Sequence, residues 1–221
     1  MVTKKVSIVL HPKLGIMEQR ITEKAQELFF RYGLKNVTMD DIATHLGMSK
    51  KTIYQYYTDK DALIDAVVQR EIDNDVVECA VHRQKCENAV HEVFLALDMM
   101  QEMMSTMNPV IIFEMQKYYP SAFKKMNDHK NKFLYKIIKE NLEQGIKEEM
   151  YREDINPDIL AKFRIESIFI AFNPELFPAN KYTLLQIETQ MMEHFLHGIC
   201  TTKGQKQIIK YKKQRQKSIS I

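Results

Sequence analysis

The sequence predicts an all-α protein, and three observations lead to this prediction. Apolar residues recur at helical spacing through most of the 221 residues, while no stretch shows the alternation of apolar and polar residues that marks a strand. The chain has six glycines and six prolines, too few for a fold built from many turns. Plausible helix caps also follow one another closely between residues 17 and 61. We therefore expect long helices joined by short loops.

The first four helices are predicted from their ends. An apolar stripe over residues 17–32 is followed by a glycine, which ends a helix well because it tolerates positive φ. Thr38 precedes two aspartates and opens a second helix that stops at Gly47. Ser49 caps a third helix through about residue 56, and Thr58–Asp61 repeats the capping pattern before a fourth through about residue 79. Apolar periodicity and prolines place further helices near residues 85–107, 109–118, 120–149, 157–172 and 181–200.

Charge is distributed unevenly along the chain. Residues 1–58 contain nine lysines and arginines against five aspartates and glutamates. Residues 59–202 contain 16 against 24, and residues 203–221 contain seven against none. A basic start and a basic tail around an acidic middle suggest that the two ends meet a polyanion. The alternative for the tail is a solvated, partly disordered segment.

Composition and motifs exclude several classes of protein. A hydrophobic share of 45% with 28% charged residues argues against disorder. No apolar run reaches the ~20 residues of a membrane helix, and the first residues lack the apolar core of a secretory leader. We therefore expect a cytoplasmic protein with no membrane partner. Phosphate-binding loops, nucleophile elbows and zinc-protease helices are all absent, so we expect neither an enzyme nor a cofactor.

The cysteines and histidines do not predict a metal site. His82, Cys86 and His91 fall at positions i, i+4 and i+9, and a histidine and a cysteine at i and i+4 share one face of a helix. However, the chain has no C-x-x-C pair, and structural metal sites usually take four well-spaced ligands. The remaining cysteines, Cys79 and Cys200, leave an odd total, which argues against a disulfide framework. We expect no metal.

The second and third helices form a helix-turn-helix candidate around Gly47. Ala43 is small enough for the two helices to approach, and Leu46, Met48 and Ile53 are placed to pack where they cross. Lysine, tyrosine and threonine side chains bind phosphate oxygens, and glutamine can pair with an adenine edge. The polar side chains left to face outward from the third helix are Lys50, Lys51, Thr52, Tyr54, Gln55 and Tyr56.

The stretch from Thr38 to Val67 resembles the DNA-binding domain of the TetR family of bacterial transcriptional repressors. The positions that match the pattern typical of that family are Thr38, Ile42, Ala43, Gly47, Ser49, Ile53, Tyr54, Tyr56, Lys60 and Leu63. The resemblance implies an N-terminal three-helix helix-turn-helix DNA-binding domain followed by a helical ligand-binding and dimerisation domain. We place the arm and DNA-binding domain at residues 1–64, the second domain at 65–202 and a basic C-terminal tail at 203–221.

The resemblance also implies which residues contact DNA. The expected DNA-binding residues are Thr38, Ser49, Lys50, Lys51, Thr52, Tyr54, Gln55, Tyr56 and Lys60. Lys60 resembles a phosphate clamp at the start of the fourth helix. Lys51 departs from the pattern, because the family often has a small residue there. Met48 and Tyr57 replace the usual valine and phenylalanine, and we expect Tyr57 in the core with its hydroxyl at the edge.

The second domain is expected to hold a ligand and a partner subunit. Methionines cluster between residues 99 and 107, and such side chains suit an apolar cavity because they repack easily. The expected pocket residues are Met100, Met103, Met104, Met107, Phe113, Phe133 and Phe169. The expected dimer residues on the helices near 157–172 and 181–199 are Phe163, Ile168, Leu184, Ile187, Met191 and Phe195. Alternatively, both sets are ordinary core residues of one chain.

Together these observations predict a DNA-binding transcriptional regulator. The preferred interpretation is a homodimeric repressor that a small-molecule ligand releases from a palindromic double-stranded operator. The sequence does not choose between an apolar and a cationic ligand. Two alternatives remain at this point. One is an architectural protein whose basic tail binds DNA without sequence preference, and the other is a helical interaction protein with a vestigial helix-turn-helix.

Overall fold

The expected all-α architecture is confirmed. The computed structural model describes residues 15–219; residues 1–14 and 220–221, and with them most of the predicted N-terminal arm, lie outside the described residues. The α-helices of the described part are α1 (Ile16–Tyr32), α2 (Met39–Leu46), α3 (Lys50–Tyr54), α4 (Lys60–Lys85), α5 (Ala89–Thr106), α6 (Ile111–Tyr118), α7 (Pro120–His129), α8 (Tyr135–Lys147), α9 (Pro157–Ile170), α10 (Leu184–Ile199) and α11 (Thr202–Ile219).

Helices α1 to α3 and the start of α4 enclose the first hydrophobic core. Its fully buried side chains include Ile21, Phe29, Ile42, Ile53 and Leu63. The same core extends into the rest of the molecule, because residues of α6 and α7 also belong to it. Helix α4 runs without a break through residues 64 and 65, so the domain boundary proposed there stays a prediction.

The remaining helices surround two further hydrophobic clusters. The first lies between α5, α8, α9, α10 and α11, and its largest fully buried side chain is Tyr151. The second is smaller and contains Met104 of α5, Ala171 and Phe172 after α9, and Leu184 and Ile187 of α10. An isolated antiparallel bridge joins Tyr151 to Cys200 beside the first cluster. Among the described residues, no helix is long and apolar enough to cross a membrane.

Three predicted helix boundaries differ from the observed ones. Helix α3 ends at Tyr54, and α4 continues to Lys85 rather than stopping near residue 79. The last turns of α4 are held because Arg83 forms ion pairs with Glu92 and Glu140. The single helix expected over 120–149 is α7 and α8 joined by a π-helical turn, Lys130–Leu134. Hydrophobic periodicity does not reveal a π-helical turn, because the turn leaves the chain helical on both sides.

The C-terminal tail contains an ordered helix. Helix α11 packs along α5, with Gly204, Ile208 and Tyr211 buried on its inner face. These three residues recur at helical spacing, so the apolar stripe was present in the sequence but was outweighed by the lysines around it. The side chains that join α11 to carboxylates of the body are Lys203, Lys210, Lys212 and Arg215. The partly disordered alternative is therefore wrong for residues 202–219.

Candidate nucleic-acid interface

The second helix is fixed at both ends by its own sequence. The Thr38 hydroxyl accepts a hydrogen bond from the Asp41 amide at 3.1 Å, and the Asp41 carboxylate accepts one from the Thr38 amide at 2.8 Å. The Thr38 hydroxyl also donates to the Asp41 carboxylate at 2.7 Å, and this bond together with the one from the Thr38 amide lowers the pKa of Asp41. At the other end Gly47 adopts a left-handed conformation with φ of 65°, which a residue with a side chain rarely adopts. The capping box and the glycine stop predicted from the sequence are both confirmed.

The turn between α2 and α3 holds the two helices at a fixed angle. Ala43, Leu46 and Ile53 are buried where the helices cross, and Met48 packs against them. The Ser49 hydroxyl accepts a hydrogen bond from the Thr52 amide at 3.1 Å and so starts α3. This is the crossing core expected for a helix-turn-helix. It leaves Lys51 and Tyr54 exposed on the opposite face of α3.

The outer face of α3 is polar and accessible. Tyr54 and Tyr56 are about two-fifths exposed, and Lys51 and Gln55 are also exposed. A groove-reading helix needs such a face, with cationic and hydroxyl groups for phosphates and an amide for a base edge. Eight of the nine expected DNA-binding residues lie at the surface of α2, α3 and the residues that flank them: Thr38, Ser49, Lys50, Lys51, Thr52, Tyr54, Gln55 and Tyr56. Their contacts with DNA stay a prediction.

Lys50 is engaged within the domain. Its Nζ forms an ion pair with Asp40 of α2 at 2.9 Å and lies 6.0 Å from the centre of the Tyr54 ring. The hydrogen bond to Asp40 raises the pKa of Lys50. A phosphate contact by this lysine therefore exchanges one anionic partner for another.

Lys60, the ninth expected residue, differs from the others in being half-buried. Its Nζ lies 5.9 Å from the Phe29 ring and 5.8 Å from the Tyr119 ring, and 3.5 Å from the Lys35 carbonyl oxygen. Burial lowers the pKa of Lys60. In this position the ammonium joins the DNA-binding domain to the residue between α6 and α7. A role as phosphate clamp requires the side chain to turn outward.

Tyr57 lies in the core as expected, but its hydroxyl does not lie at the edge. The hydroxyl is 2.6 Å from the Thr22 hydroxyl, and Thr22 has no exposed surface. Burial of the tyrosine raises its pKa. Sequence reasoning missed Thr22 because a threonine inside an apolar stripe gives no indication of which buried partner it meets.

The predicted pocket residues do not converge on one site. Met104 is buried in the smaller cluster, and Met100 and Met107 pack against it. By contrast, Met103 is 37% exposed and Phe113 is 50% exposed. Phe133 lies elsewhere, since its ring stacks on His129 at 5.0 Å. The Phe169 ring lies beneath the Lys130 ammonium and 6.5 Å from the ring of Phe172, which belongs to the smaller cluster. The pocket assignment stays a prediction.

The predicted dimer residues divide between the surface and the core. Phe163 is 57% exposed, and its ring lies 6.4 Å from the ring of Phe195. Leu184, Ile187 and Phe195 are buried within the chain itself, as the alternative interpretation proposed. An open, largely apolar groove of about 650 Å³ lies beside α10. Its lining includes Ile187 and Met191 together with Phe177, Tyr182 and Leu185.

Two charged features of the structure were missed by sequence reasoning. Arg70 of α4 donates hydrogen bonds to Glu23, at 2.9 Å, and to Gln26, and so ties α4 to α1 beside a cleft of about 740 Å³. Arg164 of α9 forms an ion pair with Glu188 of α10 at 3.1 Å, and both side chains are at least 97% buried. In the sequence, Arg164 and Glu188 each stand within an apolar stripe. The spacing alone does not show that these two residues pair with each other.

The candidate metal ligands do not form a site. In residues 15–219 no group of three or more histidine, cysteine, aspartate or glutamate side chains is arranged to hold a metal ion. His91 instead stacks on the Tyr211 ring at 4.5 Å, and burial raises the pKa of Cys79 to about 12. A thiol with such a pKa is neutral and a poor metal ligand at neutral pH.

Comparison with known sequences agrees with the helix-turn-helix geometry. Residues 21–67 match the profile of a family described as "Bacterial regulatory proteins, tetR family". The HTH-type transcriptional regulator YvaF of Bacillus subtilis (strain 168) is 28% identical over 184 residues, which are 83% of this chain and 95% of that protein. An HTH-type transcriptional regulator of Staphylococcus aureus (strain USA300) is 42% identical over 55 residues, 25% of this chain and 30% of that one.

Comparison with solved structures extends the similarity to the whole fold. A transcriptional regulator of the TetR family from Agrobacterium tumefaciens superposes with a TM-score of 0.70 at 13% identity, over 83% of this chain and 97% of that one. A transcriptional regulator from Saccharomonospora viridis, solved in complex with choline, gives a TM-score of 0.68 at 19% identity, over 84% and 98% of the two chains. At these identities the likeness shows a shared fold.

Proposed function

Because this chain belongs to the TetR family, whose members are DNA-binding transcriptional regulators and not enzymes, we propose that it is a homodimeric repressor. A small molecule bound in the helical body releases it from a palindromic operator. The operator lies on chromosomal DNA, which places the protein in the cytoplasm.

One observation carries this proposal. Helix α3 is packed on one face against α2 while its other face, with Lys51, Tyr54 and Gln55, is free of contacts to the domain core. A lone helix-turn-helix reads only a few base pairs. Two copies related by a two-fold axis read half-sites about one helical turn, ~34–36 Å, apart.

The exposed face of α9 supports the dimer. Ile159, Phe163 and Ile170 are 62%, 57% and 44% exposed and lie on one side of the helix. A row of large apolar side chains in water is unfavourable, and burying it against the same row of a second copy is an isologous contact. A largely apolar groove also lies beside α10, the helix that packs against α9.

The contacts between the body and the DNA-binding domain support coupling of ligand to DNA. The Asn108 amide donates to the Phe30 carbonyl at 2.6 Å, and the Glu114 carboxylate accepts from the Lys35 amide at 3.0 Å. Together with α4, these contacts connect the body to α1 and to the loop before α2. A ligand that favours one arrangement of the body then changes the separation of the two α3 helices, and ligand and DNA weaken each other by the same factor.

The proposal is tested by titrating the full chain against labelled DNA from upstream of its own gene, with excess unrelated competitor and in rising salt. A discrete complex that resists competitor establishes an operator and an assay for ligands. A ligand screen includes choline, because a structural neighbour was solved with it, and apolar molecules. If no DNA resists competition while the dimer is intact, the repressor proposal fails and the interaction-protein alternative gains.

The architectural alternative is tested through α11. Deleting residues 203–221 is unsuitable, since Ile208 and Tyr211 belong to the core. Replacing the exposed Lys206 and Lys213 by alanine removes charge without removing core side chains. Retained operator binding in this double variant supports the repressor, and loss of all binding supports the architectural protein.

A further inference from the structure

A buried ion pair between α9 and α10 leaves one carboxylate oxygen without a partner. The Arg164 Nη2 atom donates to Glu188 Oε2 at 3.1 Å, and the side chains are 3% and 2% exposed. The Arg164 Nη1 atom donates to the Ser167 hydroxyl at 3.0 Å. The second oxygen, Glu188 Oε1, is fully buried and finds no hydrogen-bond partner within residues 15–219.

Along α9 and α10, residues of both hydrophobic clusters of the body flank the pair. On α10, Ile187 just before Glu188 belongs to the smaller cluster, and Met192 one turn later belongs to the larger. On α9, Arg164 follows Ala161 of the larger cluster. The smaller cluster contains Met104, and the methionine side chains packed against it are Met100, Met107 and Met191.

An unpaired acceptor in this place is unfavourable. A buried polar atom without a hydrogen bond has lost its hydration without gaining a partner, and the loss is larger when the group is charged. The pair is also costly in itself, because both ions lose their hydration and are joined by one direct hydrogen bond. A well-packed apolar pair would avoid both costs. The arrangement therefore suits a site that is completed by a donor from outside the chain.

We propose that Glu188 Oε1 is the polar anchor of the effector site, and that the effector is an apolar molecule whose head group donates a hydrogen bond. The apolar part packs among Met100, Met104 and Met107, whose unbranched side chains adjust to its shape. This inference rests on the proposed function, since it names the ligand class of the same regulator.

The chemistry of the pair selects the head group. Arg164 neutralises Glu188, so the site carries no net charge and does not require a cationic ligand. A hydroxyl or amide N–H satisfies Oε1 at a lower desolvation cost than an ammonium. A head group that only accepts hydrogen bonds, such as an ether or a carboxylate, brings acceptor against acceptor and is rejected.

Matched ligands test the inference on the unaltered full chain. Decanol and its isomer nonyl methyl ether contain the same atoms, but only decanol can donate a hydrogen bond. Calorimetry is expected to show decanol binding about tenfold more tightly than the ether, which corresponds to one satisfied hydrogen bond. Decanoate is expected to bind more weakly than decanol. Equal affinities, tighter binding of the ether, or no binding of decanol overturns the inference.

A variant of Glu188 tests whether its Oε1 atom is the acceptor for the head group. In Glu188→Gln the amide oxygen accepts from Arg164 and the amide nitrogen takes the place of Oε1, so the ether is accommodated and the two affinities converge. Glu193→Gln on the same helix, which loses only a surface ion pair with Lys212, keeps the wild-type ratio. Thermal melting checks that each variant is folded. If Glu188→Gln does not fold, the wild-type ligand comparison alone decides.

Release of DNA is measured separately, by anisotropy of the labelled operator. Decanol that binds with the expected preference but leaves the operator complex intact supports the anchor and contradicts ligand release. The opposite result is also informative. If decanol and the ether bind equally while another compound releases the operator, the repressor proposal holds and the role of Glu188 as an anchor is wrong.

Discussion

At the scale of single residues, we expect α3 and its C-terminal cap to supply both affinity for DNA and sequence preference, through different side chains. Lys51→Ala removes an exposed charge, so it is expected to weaken binding to all DNA sequences and to reduce the salt slope by about 1. Gln55→Ala is expected to relax preference at one base pair by about 1–3 kcal/mol, because a bidentate contact with an adenine is lost. Both are measured by titrating operator and point-mutated operators at several salt concentrations.

Lys206→Ala is the matched control for charge, since Lys206 is exposed on α11 away from the helix-turn-helix. It is expected to leave the salt slope unchanged. The division of roles is wrong if Lys51→Ala and Gln55→Ala change affinity for every sequence to the same extent.

Glu71 of α4 makes stability depend on pH. Burial raises its pKa from 4.5 to about 7. The folded state therefore holds this proton where the unfolded chain has released it, and stability is lost as pH rises between 4.5 and about 7. Glu71→Gln removes the penalty, so the variant is expected to gain about 2–3 kcal/mol over the wild type at alkaline pH and little near pH 5.

Denaturant unfolding of both proteins at the two pH values measures this difference. Glu175→Gln, at an exposed position between α9 and α10, is expected to show no pH-dependent difference of this size. A Glu71→Gln variant whose advantage is the same at both pH values contradicts the assignment.

At the scale of elements, α11 docks through a glycine. A Cβ added at Gly204 would lie 2.2 Å from the Met150 carbonyl oxygen, a backbone atom that cannot move aside cheaply. Gly204→Ala is therefore expected to destabilise the protein by about 1–3 kcal/mol. A Cβ at Gly198 of α10 would meet nothing within 4 Å, so Gly198→Ala is expected to be neutral or stabilising by up to ~1 kcal/mol.

Chemical denaturation of both variants measures the pair. A Gly204→Ala protein as stable as the wild type would mean that α11 does not require the close approach to Met150. The stability of the Gly198→Ala variant is also measured at several protein concentrations, because Gly198 lies on the exposed side of α10.

The same scale shows what the sequence reveals and why. Helix starts at Thr38, Ser49 and Asp59 were predictable, because each cap is a local hydrogen bond to an amide three residues on. The length of α4 was not, because its last turns depend on the distant Glu140. Helix α11 was ambiguous, since its lysines suggest a solvated segment until the carboxylates that pair with them are seen.

At the scale of the whole molecule, we expect the proposed dimer to form through the exposed face of α9. Phe163→Asp places a charge on that face and is expected to weaken self-association by about a hundredfold, because a buried aromatic anchor is replaced by an ion that must be desolvated. Operator binding should weaken with it. Sedimentation at several concentrations measures the association.

Phe113→Asp is the control, since Phe113 of α6 is similarly exposed, at 50% against 57%. It should leave self-association unchanged. An equal loss of self-association in both variants would indicate a general effect of the charge. Unchanged self-association in Phe163→Asp would mean that the interface does not include this face of α9.

Whole-molecule packing also explains which site residues sequence reasoning found. The DNA-binding residues lie on one short motif, so their relative positions follow from helical geometry alone. The predicted pocket was drawn from residues on four different helices, and their convergence depends on how those helices pack. Met100 and Met104 lie together because they share α5, whereas Phe113 does not join them. Glu188 was passed over because its burial depends on Arg164, which lies 24 residues away.

The π-helical turn Lys130–Leu134 has a consequence for the length of the chain. An α-helix turns by about 100° and rises ~1.5 Å per residue, so one residue removed there would rotate α8 against α7 by that angle. His129 and Asp75 are joined on one side of the turn, and on the other side the Asn141 amide of α8 donates to the Ala89 carbonyl of α5 at 2.9 Å. After such a rotation, the two contacts cannot both form. Substitutions are therefore easier to accommodate in this segment than the deletion of a single residue, because a deletion would rotate α8 relative to α7.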